Sequence, residues 1–225
     1  VIIAYMVFII VLKSKVISEN RYLTFIGVAL FFIACLGFLR SFSYAEMNVF
    51  PEYGTNLSVQ LWIVMRYLAS ISFFVAPLLL TEDLPYSKKS EKALESDNFA
   101  KKVFLMYTVI TAVLLLAIFK FRNFPESYIP GLGLTEFKIF SEYVISFLFI
   151  GSLVLLYWKR NRFGRHIFRL LAVAILVSIF AELALTHHTY RESFLNFVGH
   201  IFNALSCYFI YLAIVETGFE EPYNL

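Results

Sequence analysis

Polar sequence is what this chain has least of. Only 16% of its residues are charged and 60% are hydrophobic, whereas a soluble domain sits nearer about 45–50% apolar. The remaining polar surface is too small to coat so large a core. The 225 residues therefore do not read as one or two soluble domains, although length alone allows it. Cysteine is scarce as well. Cys35 and Cys207 both lie inside apolar runs, which excludes a disulfide framework and suits small buried packing residues. Catalytic signatures are missing: there is no His-Glu-x-x-His, no Gly-x-Ser-x-Gly and no Walker loop. Gly131-Leu-Gly133 is too short and wrongly placed for a phosphate cradle, so it reads as a turn leading to a helix start. The last apolar segment holds no lysine, which removes a retinal protein. No internal repeat is visible, which argues against an inverted-repeat transporter. Nothing at the start resembles a signal peptide: no basic n-region and no cleavage site precede the first apolar run. Beginning at Val1, the sequence reads as a fragment cut within or just before its first helix.

What is present is a series of long apolar runs. Seven segments stand out, at about 1–12, 22–43, 57–80, 103–121, 139–158, 165–186 and 194–216. A spanning helix needs about 20 predominantly apolar residues. The runs are continuous rather than alternating, which excludes half-buried strands and transmembrane barrels. The expected fold is an all-α polytopic transmembrane bundle of about seven helices, with the first one truncated.

The charges give the bundle a direction. Thirteen of the 19 Lys and Arg residues lie in alternate connections. These are Lys13, Lys15 and Arg21; Lys88, Lys89, Lys92, Lys101 and Lys102; and Lys159, Arg160, Arg162, Arg165 and Arg169. The opposite connections hold Arg40, Lys120, Arg122, Lys138 and Arg191, and Arg66 lies inside the third segment. Positive-inside logic places the N-terminus outside and the C-terminus in the cytoplasm. The net charge of +3 carries no suggestion of nucleic acid; the lipid bilayer is the expected partner. The loop at 81–102 is polar and mixed in charge, solvated and partly helical near the membrane. The outer loop at 123–135 leads through Thr135, an expected N-cap, into the fifth helix. Pro77 is expected to kink the inner end of the third.

Ionisable groups inside spans are expensive and therefore functional candidates. Arg66, Glu142, Glu182, His200 and Asn203 all fall in the outer half of the expected bundle, with Arg40 near the outer end of the second helix. They also lie on stripes. Trp62, Arg66 and Ser70 share a face, as do Lys138, Glu142 and Ser146, and Ser178, Glu182 and Thr186. Asn196, Gly199 or His200, Asn203 and Ser206 form a fourth stripe. Polar stripes are unstable against lipid and should face one another. The expectation is a polar pocket open to the outer side, with Arg66 paired to Glu182 or Glu142. Such a pair serves either as packing glue or as part of a ligand or ion site. His187, His188 and His200 match no standard metal-ligand spacing, so no metal is expected. No cofactor is expected either.

Several stretches, taken together, resemble the membrane-associated sensor domains of the third type (the MASE group). They are Gly131-Leu-Gly-Leu-Thr-Glu-Phe-Lys138 with Ser141-Glu-Tyr143, Leu61-Trp-Ile-Val-Met-Arg-Tyr67, Ala181-Glu-Leu-Ala-Leu-Thr186 and Gly199-His200. The exit from Val215 to Leu225 completes the set. Order and spacing are kept over most of the chain. The family's positions fall on Lys138, Glu142, Tyr143, Trp62, Arg66, Tyr67, Glu182 and the Gly199-His200 pair. Its second-helix Asp and His, three residues apart, are replaced here by Gly37 and Arg40. The resemblance implies a multi-pass sensory module of a prokaryotic plasma membrane. It would precede a PAS, histidine kinase or diguanylate cyclase output and act as a homodimer. On that reading residues 1–216 are the sensor, and 217–225 begin a linker to a cytoplasmic output domain in the same chain. The sensor itself would be non-catalytic, with an unidentified small-molecule or ion stimulus. The alternative is a small-solute or ion carrier whose polar stripes line a pathway. The apolar inner halves of the third, sixth and seventh segments count against it.

Overall fold

A computed structural model describes residues 2–13, 21–80, 89–186 and 194–220. Within them run seven α-helices: α1 Ile2–Lys13, α2 Arg21–Phe42, α3 Asn56–Val75, α4 Lys89–Leu115, α5 Glu136–Trp158, α6 Arg165–Thr186 and α7 Phe194–Glu220. Six are long and apolar enough to cross a membrane. The exception, α1, has 12 residues, about 18 Å at 1.5 Å per residue, short of a hydrocarbon core of about 30 Å.

The boundaries follow apolarity closely except in three places. α4 begins at Lys89 rather than near 103, because its polar first turns are built from good helix formers and need no lipid to be helical. It ends in one π turn, Leu116–Lys120. At Pro77 the third helix gives way to a 3-10 turn, Ala76–Leu79. The expected kink is therefore a change of helix type, since proline has no N–H to donate. Thr135 caps α5 as expected: its hydroxyl accepts from the Lys138 backbone N–H at 3.3 Å. Before that cap, the loop at 123–135 folds into a two-stranded antiparallel hairpin, β1 Tyr128–Ile129 and β2 Gly133–Leu134. Gly131 and Gly133 turn it with φ of 85° and 91°, values that L side chains avoid. Asn56 anchors the hairpin to α3 by accepting from the Ser127 and Tyr128 N–H groups at 2.9 and 3.0 Å.

The helices close into a ring in which α1 touches α2, α2 touches α3, α3 touches α5, then α5 α6, α6 α7, and α7 α1. The α6–α7 pair is the most extensively packed. α4 stands outside this ring against α2. An aromatic cluster of Phe25, Phe31 and Phe32 from α2 with Phe104 and Tyr107 from α4 holds it there. The Tyr107 hydroxyl also meets the Ser72 hydroxyl of α3 at 2.5 Å. The core runs inside the ring, and large apolar side chains such as Phe147, Phe180 and Phe197 face outward, as lipid contact requires.

Candidate functional site

The ionisable side chains predicted to share a face do converge. Arg66 of α3 is paired through Nε with the Glu182 carboxylate of α6. Its Nη1 donates to Asn203 Oδ1 of α7 at 2.7 Å. Lys138 of α5 makes a 2.6 Å ion pair with Glu142 one turn on and donates to the Leu185 carbonyl of α6 at 3.1 Å. Lys138 is also close enough to act electrostatically on Glu182. Two cations and two carboxylates thus form one network that ties together α3, α5, α6 and α7. Its formal charge is zero, the condition under which buried ions are tolerable.

Helical periodicity places these groups. Lys138, Ser141, Glu142, Ile145, Ser146, Phe149 and Ser152 are the buried line of α5, spaced by three and four residues so that one face points inward. α3 is buried on most of its surface, and Trp62, Arg66 and Ser70 lie on one line along it. On α6 and α7, Ser178 and Ser206 meet hydroxyl to hydroxyl at 2.7 Å, one turn from Glu182 and Asn203 respectively. The expected pairing is settled for α3: Arg66 meets Glu182, and Glu142 belongs to Lys138.

Aromatic rings line the cationic side. The Arg66 guanidinium lies 5.7 Å from the Trp62 ring and 5.1 Å from that of Phe149. Arg40 reaches the same indole at 4.6 Å, rests near Tyr44 at 5.1 Å, and donates through Nε to the Ser58 carbonyl at 3.2 Å. His200 meets Trp62 edge-on at 5.3 Å. Trp62 is therefore the common neighbour of Arg40, Arg66 and His200, a use suited to its negative ring face. Arg40 thus borders the network through Trp62, and Gly37 accepts a hydroxyl bond from Ser41 at 3.0 Å.

Three expectations need correction. The cluster is not an open pocket: the side chains of Arg66, Glu182, Lys138 and Glu142 are only 6, 0, 3 and 1% exposed, so the surrounding helices enclose them. Tyr143 is 49% exposed and points away from the network, because one residue after Glu142 is a turn of about 100° around the helix. Tyr67, offset from Arg66 by the same angle, packs partly buried against the apolar core. His187 and His188 lie outside the described residues, as does the side chain of Thr186. Among the described residues no group of three or more His, Cys, Asp or Glu could hold a metal. Leu185 and Phe149 went unforeseen. One contributes a backbone carbonyl and the other an apolar ring, and neither carries a polar signal in the sequence.

Fold and site together define a helical membrane protein in which Arg66, Glu182, Lys138 and Glu142 form one enclosed network of zero formal charge. The chain belongs to the membrane-associated sensor domain family MASE3, whose family model matches residues 1–222. No curated protein and no solved structure matches it.

Proposed function

We propose that this sensor domain is the input part of a signalling protein, and that it passes an external or membrane signal to a cytoplasmic output domain through α7. The observation that carries this reading is the Arg66–Asn203 hydrogen bond. It joins α7 to an enclosed charge cluster drawn from three other helices. α7 continues from there to the opposite side, where Glu216 meets His166 of α6 at 2.5 Å. A stimulus that loosens or reorders the cluster would shift α7 relative to α6, and it can do so only by its differential affinity for the two arrangements. The domain itself performs no chemistry in this reading.

The carrier alternative requires a polar path through the other half of the bundle. There three buried hydroxyls are occupied by backbone carbonyls. Ser152 donates to the Phe73 carbonyl, Ser206 to that of Ala174 and Thr217 to that of Ala213, at 2.7–2.8 Å. This favours the sensor.

The test is basal output of the full-length protein in membrane vesicles, normalised to folded protein. Asn203→Ala and Glu182→Gln should each shift that output by at least about fivefold, the lower end of ordinary allosteric coupling. Unchanged output in both variants would reduce the network to packing glue and defeat the proposal.

A further inference from the structure

The turn between α5 and α6 is set apart by its charge. Lys159, Arg160, Arg162, Arg165 and Arg169 fall within eleven residues, and no acidic residue occurs between Glu142 and Glu182. The other large basic connection differs. The stretch 81–102 balances its five lysines with Glu82, Asp83, Glu91, Glu95 and Asp97. Positive charge that only fixes orientation needs no such one-sidedness.

The geometry of the turn is that of a membrane-surface site. All five cations are exposed. The short 3-10 turn Arg160–Arg162 and the start of α6 bring them to one end of the bundle. Trp158, 73% exposed, and Tyr157 stand beside them at the end of α5, the position of interfacial aromatic anchors. The Arg160 guanidinium lies 4.4 Å from the Tyr157 ring, stacked where an amphipathic belt meets headgroups. The first turn of α6 adds the positive end of its helix dipole. Across the packing, Glu216 of α7 is engaged by His166 at 2.5 Å.

We infer that the α5–α6 turn binds the headgroups of anionic phospholipids. Phosphate oxygens accept from the guanidinium groups of Arg160, Arg165 and Arg169, while Trp158 and Tyr157 sit at the acyl boundary. Basic clusters beside a spanning helix attract anionic lipid in this way. The site lies beside the His166–Glu216 contact, so lipid charge bears on the helix end at which α7 leaves the bundle. The inference does not depend on the sensor reading.

The protein carries its own reporter. Of its two tryptophans, Trp62 is buried and Trp158 exposed. The chain is reconstituted in phosphatidylcholine vesicles, and brominated phosphatidylglycerol or brominated phosphatidylcholine is added at equal mole fraction. Brominated phosphatidylglycerol should quench tryptophan emission with a preference on the order of threefold or more, and 0.5 M salt, roughly a 4 Å screening length, should erase most of it. Arg160→Gln/Arg165→Gln/Arg169→Gln should abolish the preference. The corresponding triple lysine variant should keep most of it. Equal quenching by the two lipids in the wild type overturns the inference, as does a preference indifferent to salt or retained by the glutamine variant. If the glutamine variant fails to fold, the wild-type salt response and the lysine variant still decide.

Discussion

Arg66 and Glu182 set the energetics at the residue scale. Removing one partner of a buried pair leaves the other as an uncompensated ion, which costs about 3–5 kcal/mol. Replacing both with apolar groups of similar volume removes the desolvation penalty along with the attraction. Glu182→Gln should therefore lower the thermal midpoint in lipid nanodiscs more than Arg66→Met/Glu182→Leu does, even though the double variant changes more atoms. Destabilisation in the double variant equal to the sum of the two single changes would mean that the charges stabilise independently, contrary to the contact seen. Lys138 extends the same reasoning. It pairs with Glu142, bonds the Leu185 carbonyl and acts on Glu182. Lys138→Met should thus be partly relieved by Glu142→Gln, with both read from the same melting curves. Most of these residues were legible in the sequence, because an ionisable group in an apolar run announces itself and helical spacing aligns it with others. The choice of partner was not legible. It depends on the rotation and depth of one helix against another, which spacing within a single helix does not contain. Tyr143 shows the converse. The family resemblance made it a candidate beside Glu142, and the helix turns it outward.

Between elements, close approach decides how the cluster is held. α6 and α7 meet at Gly199, where an added Cβ would lie 2.6 Å from Leu185 Cγ and 3.2 Å from the Ala181 carbonyl oxygen. Leu185 is buried, and its own carbonyl holds Lys138. Space at Gly199 is thereby linked to the position of the charge network. Gly151 of α5 is comparably tight, 2.8 Å from the Phe74 ring, but that ring is only half-buried and can swing aside. Gly199→Ala should therefore cost about 1–3 kcal/mol, typical of overpacking, and Gly151→Ala clearly less. Denaturation in mild detergent ranks the two, and a larger loss at Gly151 would contradict the packing described. The helix spans themselves were legible from apolar length, and the α5 start from its threonine cap. The early start of α4 was legible only in part: the polar loop was expected to be partly helical near the membrane, but apolarity does not mark where a polar helix begins. The placement of α4 outside the ring was not legible. Its spanning stretch is as apolar as those of the ring helices, so composition does not mark its place.

The whole molecule has a direction, and every depth statement rests on it. The basic connections assign the hairpin loop to the outer side and the α5–α6 turn to the cytoplasmic side. The charge network lies nearer the hairpin end. Lys138 and Glu142 follow the start of α5 by two and six residues, about 3 and 9 Å, and Glu182 is one turn from the end of α6. On the proposed reading, an external stimulus would have a short path to the cluster and a long one to the far end of α7. The two ends offer exposed positions for testing this. Leu132 at the hairpin tip is 83% exposed, and Asn161 sits exposed in the opposite turn, while the native Cys35 and Cys207 lie within α2 and α7. In intact cells a membrane-impermeant maleimide should label Leu132→Cys and leave Asn161→Cys unmodified until the membrane is opened. The reverse pattern would invert the bundle and place the charge cluster near the cytoplasm. The external-stimulus form of the sensor proposal would then fail, although the neutral network and its grip on α7 would stand.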